Sequence, residues 1–193
     1  LTAVVGDDDY LVRRKSKEIF DSFVSDFPDE LSREIIDGRA EKVEEVEFIL
    51  QEAKSAGQTL SLFGGGKLVW INEINFLNQT KTGSAQGTKQ ALDSIKPFLE
   101  NLGESKVLIS ACPVHRNHSF VKWLQKNASY EDVAKHEKGD ASFRRTVEET
   151  AKELGVSFAS GALEYLAAKI ASHSRLGVEE TKKMATFLGK EGG

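Results

Sequence analysis

Cysteine is almost missing from this chain of 193 residues. Cys112 stands alone, so no internal disulfide can form, and the fold must be held by packing, as suits a reducing compartment such as the cytoplasm. Long apolar runs are missing too: nothing approaches the ~18 residues that a membrane-spanning helix needs. The opening Leu1-Thr-Ala-Val-Val has neither the basic lead nor the apolar stretch of a signal peptide, and no initiator methionine; the expectation is a trimmed fragment. An excess of positive charge is also lacking. With 26 Lys and Arg against 30 Asp and Glu, the formal net charge of −4 argues against nucleic acid held by bulk electrostatics and leaves room only for a local basic face. There are no internal repeats and no low-complexity tracts. What is present is 39% apolar residues, enough to build one large domain or two small ones.

Along the chain, short apolar runs of strand length alternate with stretches of helical period. Thr2 to Val5 reads as a strand ended by Gly6, and Val12, Ile19, Phe20 and Phe23 mark an amphipathic helix to about Ser25. Arg33 to Asp37 is a second strand. Val43, Val46, Ile49, Leu50 and Ala53 give a second helix, ended by Gly57. Lys67 to Ile71 reads as a central strand, Asn78 to Gly87 as a polar loop, and Leu92 to Leu102 as a helix that Pro97 should kink or restart. Lys106 to Ala111 is a fourth strand, and Phe120, Trp123 and Leu124 sit on a helix before a weak last strand at Ser129 to Val133. This alternation predicts a parallel sheet covered on both faces. From Asp140 onward the period is helical only. It gives three helices, centred on Phe143 to Leu154, Leu163 to Ile170 and Thr181 to Leu188, with Gly155 and the Ser172 to Gly177 segment as breaks. The domain boundary is expected near Gly139.

A phosphate-binding loop is a further absence. The first strand-to-helix turn, where such a loop belongs, reads Gly6-Asp-Asp-Asp-Tyr-Leu-Val-Arg13; the second glycine, the lysine and the hydroxyl residue are not there. Three carboxylates stand where a triphosphate would sit, and each like-charge contact at ~4 Å costs on the order of 1–4 kcal/mol near a surface. The expectation is no ATP binding, with the aspartates capping the first helix. Glu73, at the end of the third strand, reads as a solvated acid. His115 and His118 could share a helix face but lack further zinc ligands nearby. Cys112, with no committed His or Asp partner, reads as a small apolar filler rather than a nucleophile. No catalytic, cofactor or metal site is expected.

The most informative stretch is Gln58 to Ile71, QTLSLFGGGKLVWI. Three glycines must carry a tight reversal into a buried strand, which leaves Leu62 and Phe63 beside a turn. Such a pair often caps a core. Here it ends the string Gln58-x-Leu60-x-Leu62-Phe63, which resembles the Gln/Leu/Leu-Phe peptide by which bacterial proteins bind the replication sliding clamp. Burying two such side chains at roughly 1.5–3 kcal/mol each supplies about half of the ~8 kcal/mol of a micromolar complex.

Taken in order, Val4-Val5-Gly6-Asp7-Asp8, Leu60-Ser-Leu-Phe-Gly64, Lys67-Leu-Val-Trp-Ile71, Val107-Leu-Ile-Ser, then Arg116, Lys122 and Leu124 resemble the delta subunit of the bacterial DNA polymerase III clamp loader. The tail Glu180-Thr-Lys-Lys183-Met184-x-x-Phe187 is similar to the closing helix of that family's second domain. The resemblance implies an α/β, AAA+-like (P-loop NTPase-like) domain over residues 1–139 with a degenerate nucleotide site, then a small three-helix lid domain over 140–193. The family's C-terminal collar domain, which joins the other loader subunits, is expected to be absent. It further implies a chain that is no enzyme by itself but a subunit of a DNA-directed DNA polymerase, cytoplasmic and at the replication fork. Its partner would be the sliding clamp (beta subunit), whose ring it opens, with DNA met only indirectly or weakly and no membrane. Leu62 and Phe63 would enter the clamp pocket, supported by Leu60 and Gln58. Two other readings are a divergent AAA+ ATPase using Glu73 and an adaptor that binds neither clamp nor nucleotide.

Overall fold

A computed structural model of the chain describes residues 1–59, 65–133, 140–171 and 173–191. The chain divides into two compact units, Leu1–Val133 and Ala134–Gly193. The boundary expected at Gly139 falls among residues 134–139, outside the described residues.

The first unit runs β1 (Thr2–Gly6), α1 (Asp9–Phe23), β2 (Arg33–Asp37), α2 (Val43–Gln58), β3 (Leu68–Ile74), α3 (Lys81–Ser84), α4 (Gln86–Glu100), β4 (Lys106–Ala111), α5 (Ser119–Asn127) and β5 (Ser129–Val133). The strands form one sheet in the order β2-β3-β4-β1-β5, and every pairing is parallel. Each successive strand is reached through a helix, as parallel neighbours require. Side chains alternate across the sheet with the period of two that a strand imposes. Ala3, Val5, Val69, Ile71, Val107 and Ile109 face the core shared with α2, α4 and α5. Val4, Leu68, Trp70 and Leu108 face the other side, where Val12 and Phe20 of α1 and Phe27 just beyond it cover them. Phe20 and Trp70 bring their ring centroids to 5.2 Å in a tilted contact, worth roughly 0.5–1.5 kcal/mol beyond the area they bury. The Trp70 indole donates to the Ser110 hydroxyl, so the polar edge of this buried ring is satisfied.

Two expectations change at the level of single elements. Asn78 to Gly87 is not simply loop: Thr80 caps a short helix by accepting from Gly83 N at 3.1 Å, and α4 begins at Gln86. Helix α4 also continues through Pro97 to Glu100. Pro97 lies in its last turn, where its ring removes a single backbone bond, and the Asn101 side chain donates to its carbonyl at 3.0 Å.

The second unit contains α6 (Asp140–Glu153), α7 (Ala162–Lys169) and α8 (Ser174–Glu191). Phe143, Val147, Leu163 and Ala167 form its core, flanked by Phe158, Leu166 and Ile170. The break read over Ser172 to Gly177 is shorter than expected, because α8 begins at Ser174 and takes Gly177 inside it. A Cβ there would lie 2.5 Å from Phe143 Cε2 and 2.6 Å from Val147 Cγ2, so the glycine lets α8 approach α6.

Candidate functional site

Open α/β sheets hold ligands outside the carboxyl ends of their strands, at the point where the order of strands reverses. Here that point lies at β4 and β1, since β1 is followed by β2 on one side of the sheet and β4 by β5 on the other. The turn after β1 presents Asp7, Asp8 and Asp9. Asp8 is the N-cap of α1 and accepts from Leu11 N at 3.1 Å, as expected of a carboxylate at a helix start. Asp9 lies in the first turn, beside the positive end of the helix dipole. Asp7 has a different role. It accepts from Arg116 Nη1 at 2.7 Å, while the same guanidinium donates Nε to Asp132 Oδ2 at 2.8 Å and Nη2 to Asp132 Oδ1 at 3.0 Å. The Asp132 side chain is only 3% exposed, and its bonds, followed by that of Asp7, hold the Arg116 guanidinium more firmly protonated than usual. One arginine thus ties the ends of β1 and β5 to the loop after β4. Gly6 serves that closure: a Cβ would stand 2.8 Å from Val133 Cγ2 and 3.0 Å from Val12 Cγ2.

Beside this knot a cleft of about 140 Å³ is lined by Asp9, Val12, Arg13, Arg39, Asn72, Glu73, Asn75, Ser110 and Cys112. Glu73 lies at the end of β3, one residue before its last, and is partly exposed. It lies within β3 at a φ of +58°, in the left-handed region that side chains disfavour, where the pairing of β3 with β4 shifts register. From there it meets Arg13 at 3.3 Å and Arg39 at 3.6 Å. Arg39 is clasped again by Asp37, whose carboxyl it holds below the usual range, chiefly by side-chain hydrogen bonding. The cationic groups in the cleft are therefore already answered by carboxylates of the same chain, and a triphosphate would have to displace them. Burial, reinforced by the charges of Asp9, Asp7 and Asp8, pushes the Cys112 thiol up to about 12, so it stays protonated at neutral pH and is a poor nucleophile.

His115 and His118 do not share a helix face. His115 precedes α5, and His118 is its N-cap, accepting from Phe120 N at 3.2 Å through Nδ1. Desolvation lowers the His118 pKa. Among the described residues, no group of three or more His, Cys, Asp or Glu side chains could hold a metal ion.

The second region is the Gln58 string. Gln58 is the last residue of α2 and is exposed. Leu60, Leu62 and Phe63 lie outside the described residues. The chain on either side is closely held. Thr59 caps α2, its N–H donating to Ser55 O at 3.1 Å and its hydroxyl to the same carbonyl at 2.7 Å. On the far side Gly65 has a φ of +89°, and a Cβ on Gly66 would lie 2.2 Å from the Glu104 carbonyl carbon. Sequence reading missed two groupings, the Arg116–Asp132–Asp7 knot and the bonds of Ser105 to Gly57 and Lys67. Both join residues far apart in the chain, and no local pattern announces them.

Strand order and helix placement define an α/β domain of the AAA+-like class. The DNA polymerase III, delta subunit family matches residues 3–133, and the chain belongs to that family. No curated protein matches it. Among solved structures, the Bacillus subtilis DNA clamp loader delta protein (YqeN) is similar at 18% identity and a TM-score of 0.57, over 97% of this chain and 53% of that one. A DNA polymerase III gamma subunit-related protein from Thermotoga maritima aligns at 18% identity and a TM-score of 0.47, over 93% of this chain and 54% of the other. The chain spans about half the length of these two structures. At such identity the likeness to YqeN speaks to the fold alone.

Proposed function

We propose that this chain is the clamp-contacting part of a clamp-loader subunit: it binds the sliding clamp through Gln58, Leu60, Leu62 and Phe63 and favours the open ring over the closed one. It makes and breaks no bond itself. Only the difference in its affinity for the two ring states can shift the ring. Other loader subunits would be met through a collar domain, and DNA indirectly or weakly. In this reading the protein acts in the bacterial cytoplasm at the replication fork.

The observation that carries the reading is the pairing of the family match over residues 3–133 with the string Gln58-x-Leu60-x-Leu62-Phe63, which begins at an exposed helix end. The carboxylates at the switch point support a scaffold that binds without using a nucleotide. The test is a titration against the sliding clamp of the same organism. Leu62→Ala with Phe63→Ala is expected to abolish binding, with the thermal unfolding of the chain nearly unchanged. Wild-type affinity in the double variant would end the proposal. So would a loss of stability near the ~3–5 kcal/mol of truncating a core Phe, because the pair would then be core.

A further inference from the structure

Helices α2 and α4 pack side by side on the sheet, touching near both ends and parting between. At one end a Cβ on Gly87 would come within 2.5 Å of Val43 Cγ1, and at the other a Cβ on Gly57 would come within 2.4 Å of Phe98 Cζ. Between these contacts lies an open groove of about 390 Å³, with Leu50, Ala91 and Ile95 along it and Glu47 and Gln51 on its α2 wall. Phe48 stands beside that wall, 68% exposed, more than any other large apolar side chain among the described residues. A single exposed Phe needs no account, but this one adjoins an apolar groove and is flanked by acid. Glu44 and Glu52 lie one turn before and one turn after it on the same face. Residues 41–52 hold five glutamates and one lysine, a net −4 that equals the formal charge of the whole chain. Glu44 and Glu45 sit in the first turn, where the helix dipole favours them. Glu47 and Glu52 have no such support, and Glu47 repels Glu44 three residues away. Other surface acids of this unit are answered within it: Asp21 by Lys17, Asp26 by Lys106 and Asp93 by Lys96. Among the described residues Glu44, Glu47 and Glu52 form no ion pair.

We propose that the α2–α4 face docks another protein through an amphipathic helix with basic flanks: its apolar side chains enter the groove and cover Phe48, and its lysines or arginines meet Glu44, Glu47 and Glu52. The chemistry of the face selects that occupant. A phosphate backbone or an anionic lipid surface would be repelled by this concentration of negative charge. An uncharged apolar segment would cover Phe48 but leave three carboxylates partly desolvated and unpaired. A helix laid along the groove presents side chains at i, i+3, i+4 and i+7 as one apolar stripe, with room for cations on either side of it. In such a contact the aromatic anchor carries much of the affinity, while the charges set the rate of encounter and the choice of partner. The proposal is independent of the clamp string and stands or falls on α2 and α4 alone.

The experiment is made in the cells that produce the protein, with Phe48→p-benzoylphenylalanine, a photoreactive residue of similar shape, in the full-length chain. Irradiation is expected to give one main crosslinked product, whose partner peptide carries several lysines or arginines around an apolar helical stripe. Glu44→Lys with Glu52→Lys should lower its yield about tenfold or more, because like charges would then face each other across the contact. Replacing the partner's cations with glutamate should restore the yield in that variant. With the photoreactive residue at Gln51 instead, Phe48→Ala should lower the yield roughly tenfold, as the loss of an aromatic anchor does. The changed side chains are all exposed, so thermal unfolding midpoints should match the wild type, and yields are compared per folded molecule. No product above that of the unsubstituted protein overturns the proposal. So does a product on nucleic acid, on a second copy of this chain or on a peptide without cations, and so does a yield that ignores the charge reversal.

Discussion

Removing the Arg116 guanidinium is the sharpest test of how the carboxyl end of the sheet is held. In Arg116→Ala, Asp132 keeps its place with its side chain 3% exposed but loses a two-pronged cationic partner. Breaking a buried ion pair from one side costs about 3–5 kcal/mol. Arg116 is itself 37% exposed, so water can enter the vacated space, and about 2–3 kcal/mol is the better figure. The reverse truncation is cheaper. Asp132→Ala leaves Arg116 with Asp7 at 2.7 Å and with solvent, and should cost about 1 kcal/mol. Asp7→Ala, at a side chain 58% exposed, should cost less than that. Urea unfolding of the three single variants and of the Arg116→Ala, Asp132→Ala pair measures the order directly. The double variant should be less destabilised than the sum of its singles, because the orphaned carboxylate is gone. Equal costs for Arg116→Ala and Asp132→Ala, or strict additivity, would refute the reasoning.

Two further outcomes follow from other parts of the first unit. His118 has its pKa lowered by desolvation, so the unfolded chain binds its proton more readily than the folded one. Its contribution is complete above the ordinary value of 6.5 and is lost as pH falls from there through the lower folded value. Urea midpoints at pH 7 and pH 5 should therefore differ more in the wild type than in His118→Asn, which keeps an N-cap acceptor; parallel midpoints would show that the imidazole stays wet. At Glu73 the left-handed backbone predicts an inverted preference. Glu73→Gly should be more stable than Glu73→Ala by about 1 kcal/mol, since both lose Arg13 and Arg39 but only glycine relieves the φ of +58°. An alanine variant at least as stable as the glycine one would show that the strain is not there.

The elements that could be read from the sequence are those with a local signature. The three central strands were legible because a strand buried on both faces leaves a short continuous apolar block, as in Val107 to Ala111, whereas the more exposed β2 and β5 give a weaker signal. Asp8 could be read as a cap because capping is a matter of three residues. Gly177 was read into the break since a glycine in a loop and one that admits a neighbouring helix look the same in one dimension; only the position of Phe143 separates them. The partnership of Arg116 with Asp7 crosses 109 positions, and that of Ser105 with Gly57 crosses 48. Neither has a spacing that repeats or a residue type that demands the other. The Gln58–Phe63 string was legible as a string; the bonds of Gly57 and Lys67 to Ser105 were not, because Ser105 lies just before β4, three elements beyond β3.

The sheet order has a consequence for how the protein is made. β1 has no partner among its sequence neighbours: Thr2 lies opposite Leu108 on one side and Ser129 on the other. A ribosome must deliver roughly a hundred more residues before the first strand can take its place. Until then the growing chain carries Ala-Val-Val with both edges open, an invitation to mispairing that the cell must manage during synthesis. The strand that comes first of the five is thus inserted late, between the two that emerge last.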